Sequence, residues 1–264
     1  ACASLLSNNN DNLLVLSSDH IWNDNIFIDS VNEGLKFCDE SIVTFGIVPN
    51  YPETGYGYLN YSNNDLVKFI EKPNLEKAKQ YLEEGNYLWN SGNFLFNNKI
   101  IIDEFLLNAK DIYESVQLVL QKSNIELSEF TLDPISFENV RPESIDYAIM
   151  EMHKNGKVVS YDGLWVDIGS FKSIYSMNEK DSNNNVLNGD IFCIDTTGSY
   201  VKSDKLVATI GIKNLSIIDT PDVLYVGEID RGQEIKKIVN ILKKDNREEV
   251  YLHKKSFRPW GWYI

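Results

Sequence analysis

Apolar positions along the chain fall into two textures. Up to about residue 182, short apolar runs alternate with stretches of helical spacing, and from Gly189 onward brief β-rich pieces follow one another between turns. Leu13 to Leu16 is a short apolar run ending in Ser17-Ser18-Asp19-His20. This is the pattern of a buried strand that delivers polar residues at its C-terminal end, where open α/β sheets place ligands. Ile26, Phe27, Val31, Leu35 and Phe37 recur at roughly helical intervals, and a second apolar run spans Ile42 to Val48. Strand, helix and strand in this order predict a parallel α/β unit.

Leu66 to Ile70 continues the series, and Glu71-Lys72-Pro73 punctuates a strand-to-helix turn before a predicted helix from Leu75 to Glu84, closed by Gly85. Ser91 to Phe96 is a further strand, and Lys99 to Lys122 carries the periodicity of one long helix. After Pro142, the apolar positions Ile145, Ala148, Ile149 and Met152 share one helical face. The polar run Asp181 to Asn185 marks a boundary, with Asn183-Asn184-Asn185 as a linker. Beyond it the pieces IFCID, YVKS, LVATIG, LSIIDT and VLYVGE predict a small solenoid or sandwich, and Gln233 to Lys244 returns to an amphipathic helix. The domains expected are 1–182, 187–229 and 230–264.

Composition narrows the class. A chain of 264 residues with 43% hydrophobic content buries a sizeable core. Three cysteines without a C-x-x-C pair and three scattered histidines indicate neither a disulfide framework nor a zinc site, so any metal is expected on oxygen ligands. The formal charge of −14 argues against sequence-independent nucleic-acid binding. It leaves room for a small phosphorylated substrate, which needs only one or two well-placed cations or a magnesium ion. No apolar run approaches a membrane span and no signal peptide opens the chain, so a cytoplasmic protein is expected.

Asp19, Glu71-Lys72 and Asp167 are the charged residues at predicted strand ends. Asp19 equally suits a helix cap or a turn, and Glu71-Lys72, taken as an isolated pair, reads more readily as ordinary solvated charges. Asp167 lies in Gly163-Leu164-Trp165-Val166-Asp167-Ile168-Gly169-Ser170, where a lone carboxylate near a buried strand end is costly. Two such aspartates brought together can share a divalent cation.

Six segments in order, S-S-D-H (17–20), P-E-T-G-Y-G-Y (52–58), F-I-E-K-P (69–73), Y-L-W-N-S-G-N-F-L-F (87–96), S-I-D-Y-A-I-M-E (144–151) and W-V-D-I-G-S-F (165–171), resemble bacterial mannose-1-phosphate guanylyltransferases. The resemblance continues more loosely through Asn188-Gly189-Asp190 and Asp219-Thr220-Pro221-Asp222 to Arg258-Pro259-Trp260-Gly261-Trp262-Tyr263. It implies an α/β fold: a Rossmann-like nucleotidyltransferase domain, incomplete at its N-terminus, then a small left-handed β-helix and a C-terminal helix. It also implies magnesium as cofactor, held by Asp19 and Asp167, for attack of mannose 1-phosphate on the α-phosphorus of GTP. By the same resemblance Glu71 contacts a sugar hydroxyl and Lys72 the sugar phosphate, which makes Lys72 a catalytic residue beside Asp19 and Asp167. Asn90 and the backbone at Gly57 complete the sugar pocket. His20 and Asp146 receive no role, each suiting a structural one as well, and Asn90-Ser91-Gly92 standing alone would read as a plain turn.

The family's opening G-G-x-G-x-R-L-x-P-L loop, whose amides cradle the nucleotide phosphates, is not in this sequence. The expectation is therefore that this stretch alone binds GTP poorly and is inactive. In longer relatives R-P-W-G-x-Y opens a phosphomannose isomerase domain, so Arg258 to Tyr263 is expected to be either its stub or an aromatic anchor. The β-helix is a candidate for pairing two copies into a homodimer. The alternatives are a nucleotidyltransferase for another hexose 1-phosphate and a non-catalytic sugar-phosphate-binding regulatory subunit.

Overall fold

The computed structural model describes residues 1–126, 129–253, 256–258 and 261–263. In chain order its elements begin α1 (Cys2–Leu6), β1 (Asn12–Val15), β2 (His20–Trp22), α2 (Asp24–Gly34), β3 (Val43–Ile47), β4 (Tyr58–Ser62), β5 (Asp65–Ile70), α3 (Leu75–Glu84) and β6 (Tyr87–Asn97). They continue with α4 (Asn98–Asn108), α5 (Lys110–Lys122), β7 (Asn124–Glu126), β8 (Glu129–Thr131), α6 (Pro134–Glu138), a π turn (Asp146–Met150), β9 (Lys157–Tyr161), β10 (Trp165–Asp167) and α7 (Phe171–Met177). The remainder is β11 (Val186–Asn188), β12 (Ile191–Ile194), β13 (Tyr200–Lys202), β14 (Val207–Ile210), β15 (Leu215–Asp219), β16 (Leu224–Glu228), α8 (Ile235–Lys244), β17 (Ser256–Arg258) and β18 (Gly261–Tyr263). These form two compact units, residues 1–18 with 22–165, and residues 19–21 with 166–264.

The first unit is a six-stranded mixed sheet in the order β1-β6-β3-β9-β5-β4, with β4 also pairing β6. Alternation along β6 fills both faces. Phe94 and Phe96 pack with Ile101 and Phe105 of α4, Val116 of α5 and Ile149 of the π turn. Leu95 packs the other way with Val43, Phe45 and Val159, against Val31 and Phe37. Helix α3 matches its expected bounds: the Asn74 side chain accepts the Lys77 amide, and Gly85 ends the helix in the left-handed region at φ 72°.

Four expectations are corrected. The Leu13–Leu16 run is an edge strand, mostly exposed rather than buried, because among the described residues β1 pairs only with β6. It runs parallel in direction to β3, but the antiparallel β6 lies between them. The single helix over Lys99 to Lys122 is two, broken at Ala109, whose backbone leaves the helix at φ −144° while its side chain stays buried in the core. Periodicity survives such a break because both halves bury residues in the same cluster. The segment after Pro142 is a single π turn; Ala148 and Ile149 are buried as expected, but Met152 is exposed and Met150 takes the inner position.

The second unit is a β-helix. Strands β11, β13 and β15 stack in parallel, as do β12 and β14. Val186, Tyr200, Ile218 and Ile229 form its core, covered by Phe171, Ile174 and Tyr175 of α7. Asn185, expected in a linker, is buried there: its carboxamide donates to Thr196 O and Asp181 Oδ2 and accepts the Ser199 amide. An asparagine run scores as a linker by polarity, yet one buried amide matching three partners is a structural part. Of the expected tail motif, Pro259 and Trp260 lie outside the described residues. Among the described residues no helix is long and apolar enough to cross a membrane.

Candidate functional site

In the first unit, four of the expected residues come together: Gly57 just before β4, Glu71 and Lys72 just after β5, and Asn90 within β6. Glu71 follows β5, and its side chain is only 10% exposed while Lys72 Nζ pairs with its Oε1 at 3.0 Å. That hydrogen bond is the main cause holding the Lys72 ammonium above its usual pKa. Lys72 has φ 43°, a left-handed conformation that is strained for a side chain with a Cβ, here directly before Pro73. Such strain persists where surrounding structure imposes it, and it gathers at sites of function.

Ser91, Gly92 and Asn93 bulge from β6: Asn90 lies opposite Gly46 and Phe94 opposite Thr44, so the stretch between these pairs is longer on β6 than on β3. Gly92 takes φ 67° in this bulge, which suits the only residue without a Cβ. Asn90 is buried, and its Oδ1 accepts from Thr44 Oγ1 at 3.0 Å and from the Gly92 amide at 3.2 Å. Its Nδ2 donates to Asp146 Oδ1 at 3.0 Å. Gly57 closes the cluster, its carbonyl accepting the Asn90 amide at 2.8 Å. A methyl group on Gly57 would meet Glu71 Oε2 at 2.6 Å and Asn90 Cβ at 3.3 Å.

In the second unit, Asp19 and Asp167 meet. The Ile168 amide donates to Asp19 O at 2.9 Å, setting the residues before β2 beside the end of β10. Asp19, His20 and Asp167 each offer one ligand atom, and these atoms lie within 4.8 Å of one another. Asp167 Oδ1 also accepts the Gly169 amide at 2.7 Å. Burial lowers the His20 pKa, partly offset by Asp167 and Asp19, so the imidazole is kept toward its neutral form. Two carboxylates this close together suit a hard divalent cation that also takes phosphate oxygens.

Residues 1–184 match the nucleotidyl transferase family. The chain belongs to the nucleotidyl transferase family. Residues 189–242 match the MannoseP isomerase/GMP-like β-helix domain, in agreement with the stacked strands of the second unit. It is 38% identical over 266 residues to a mannose-1-phosphate guanylyltransferase of Salmonella montevideo, covering 95% of this chain and 56% of that protein. It is 38% identical over 261 residues to a protein of the same name from Klebsiella pneumoniae, covering 94% and 55% respectively. The chain thus spans about half the length of the curated relatives it matches. Among solved structures, one described as a mannose-1-phosphate geranyltransferase from Thermus thermophilus superposes with a TM-score of 0.74 at 27% identity, over 88% of this chain and 70% of that one. A mannose-6-phosphate isomerase from Helicobacter pylori gives a TM-score of 0.59 at 26% identity, over 63% and 68%.

Two members of these clusters had no role from the sequence. His20 stands beside Asp19 in the chain, but its proximity to Asp167 depends on the pairing of β2 with β10. Asp146 had apolar neighbours that pointed to a core helix, and only the π turn reveals its carboxylate on Asn90.

Proposed function

We propose that this protein is a mannose-1-phosphate guanylyltransferase, forming GDP-mannose and pyrophosphate from mannose 1-phosphate and GTP with magnesium. The observation that carries this reading is the meeting of Asp19 and Asp167, two carboxylates from distant parts of the sequence. The names of the relatives supply the sugar and the nucleotide.

The divalent ion, held by Asp19 and Asp167, would neutralise phosphate charge and polarise the α-phosphorus for attack. Burial disfavours His20 as a cation beside the acidic pair. Lys72 binds the sugar phosphate as a point charge, held by Glu71 until the ligand arrives. Glu71, whose Oε2 lies against Gly57, accepts from a sugar hydroxyl. Direct attack of one phosphate on another needs no covalent intermediate with the protein, so these residues bind, orient and neutralise.

The test is turnover by the full-length protein with paired sugar phosphates and nucleotides. GDP-mannose and pyrophosphate from mannose 1-phosphate and GTP are expected, with glucose 1-phosphate and UTP used far less well. A preference for the latter pair overturns the mannose assignment, and lack of turnover with every pair supports a non-catalytic subunit.

A further inference from the structure

Asn90 is the most constrained polar side chain of the first unit's cluster. A carboxamide has two acceptor positions and two donor hydrogens. Both acceptor positions of Asn90 are matched, by the Thr44 hydroxyl at 3.0 Å and the Gly92 amide at 3.2 Å. One hydrogen goes to Asp146 Oδ1 at 3.0 Å, and among the described residues one hydrogen is left over.

The alternative orientation of this amide is specifically opposed. Turned over, its oxygen would face the Asp146 carboxylate and its NH2 would face the Gly92 N–H, an acceptor against an acceptor and a donor against a donor. The Thr44 hydroxyl rotates and accepts either orientation, so the choice rests on Gly92 and Asp146. Asp146 in turn is set by its backbone. The π turn it begins is closed by the Glu151 amide donating to Asp146 O at 3.0 Å, and it is anchored by Ala148, Ile149 and Met150 in the core. Glu71 Oε2 and Asn90 Cβ both lie around the position that a methyl group on Gly57 would take, at 2.6 Å and 3.3 Å.

We propose that Asp146 is a positioning residue that holds Asn90 as a hydrogen-bond donor, so that Asn90 and Glu71 together recognise one sugar hydroxyl, the first donating to it and the second accepting from it. This rests on the reading of these residues as the sugar-phosphate pocket. A hydroxyl is both donor and acceptor, and a site offering one of each discriminates it from a hydrogen or a methyl group. Burial and the Glu71 carboxylate push the Asp146 carboxyl above its usual range, while the Asn90 bond draws it back.

The experiment compares wild type, Asp146→Asn and the exchanged pair Asn90→Asp with Asp146→Asn in the full-length protein, reading KM for mannose 1-phosphate, KM for GTP and the melting temperature. Asp146→Asn is expected to raise the mannose 1-phosphate KM about tenfold with the GTP KM unchanged, because a neutral amide no longer enforces the Asn90 orientation. The exchanged pair rebuilds the bond with the donor on residue 146. It is expected to recover the wild-type melting temperature without recovering KM, since a carboxylate at position 90 has no hydrogen to donate. A wild-type KM in Asp146→Asn overturns the positioning role, and a recovered KM in the exchanged pair overturns the proposal as well, since residue 90 would then need no donor hydrogen. Absence of mannose 1-phosphate turnover in the wild-type protein overturns the pocket reading itself and is seen without any variant.

Discussion

The Ile168 amide donates to the Asp19 carbonyl at 2.9 Å, and this one backbone bond helps set the Asp19 and Asp167 side chains next to each other. A carboxylate pair without a cation repels itself, so the arrangement costs energy unless something positive is shared. Asp167→Asn keeps an oxygen for the Gly169 amide, which Asp167 Oδ1 now accepts at 2.7 Å, so the turn should survive. Turnover is expected to fall by roughly a hundredfold or more, because the charge stabilising the reacting phosphates is no longer held. Paramagnetic titration with manganese checks the metal directly, and unchanged affinity for the ion would remove Asp167 from the metal site.

Lys72 joins a charge to a strained backbone, with Nζ 3.0 Å from Glu71 and φ at 43°. The two are separable by substitution. Lys72→Ala and Lys72→Gly both remove the ammonium and should weaken sugar-phosphate binding alike. Glycine also relieves the left-handed strain, so Lys72→Gly is expected to be about 1 kcal/mol more stable than Lys72→Ala, read by chemical denaturation.

Gly57→Ala places a methyl group 2.6 Å from Glu71 Oε2. The carboxylate is the far end of a flexible side chain and can move, so little stability should be lost. Its movement takes the acceptor away from the sugar, and the expected signature is a raised sugar-phosphate KM with a melting temperature near that of wild type.

Asp146 offers a pH test. Its carboxyl lies above the ordinary value of 3.8 in the folded protein, chiefly through burial and then through Glu71. Between 3.8 and that raised value the folded state therefore binds more protons than the unfolded one at this group. Its contribution to stability is full below 3.8 and is lost as pH rises through the folded pKa. Asp146→Asn should lack this slope, so the difference in unfolding free energy between wild type and variant should change across that window. A difference that stays flat with pH shows that the carboxyl is not raised.

Chain order and local chemistry alone determined much of this protein. Helix α3 was legible to the residue because the proline turn before it and the glycine that closes it are local signals. The β-helix pieces were legible because short strands between turns leave a repeating texture. The candidates Asp19, Glu71, Lys72, Asn90 and Asp167 were legible as motifs in order. Only the tertiary structure decided what those motifs do to one another. Sequence spacing cannot show that β6 lies between β1 and β3, that Ala109 breaks a helix whose halves share one core, or that Asn185 is buried. The same holds for His20 beside Asp167 and for Asp146 on Asn90. Hydrophobic period reports which side of an element is buried, whereas a site depends on which distant elements that burial brings together, and strand pairing and a single π turn made that choice here.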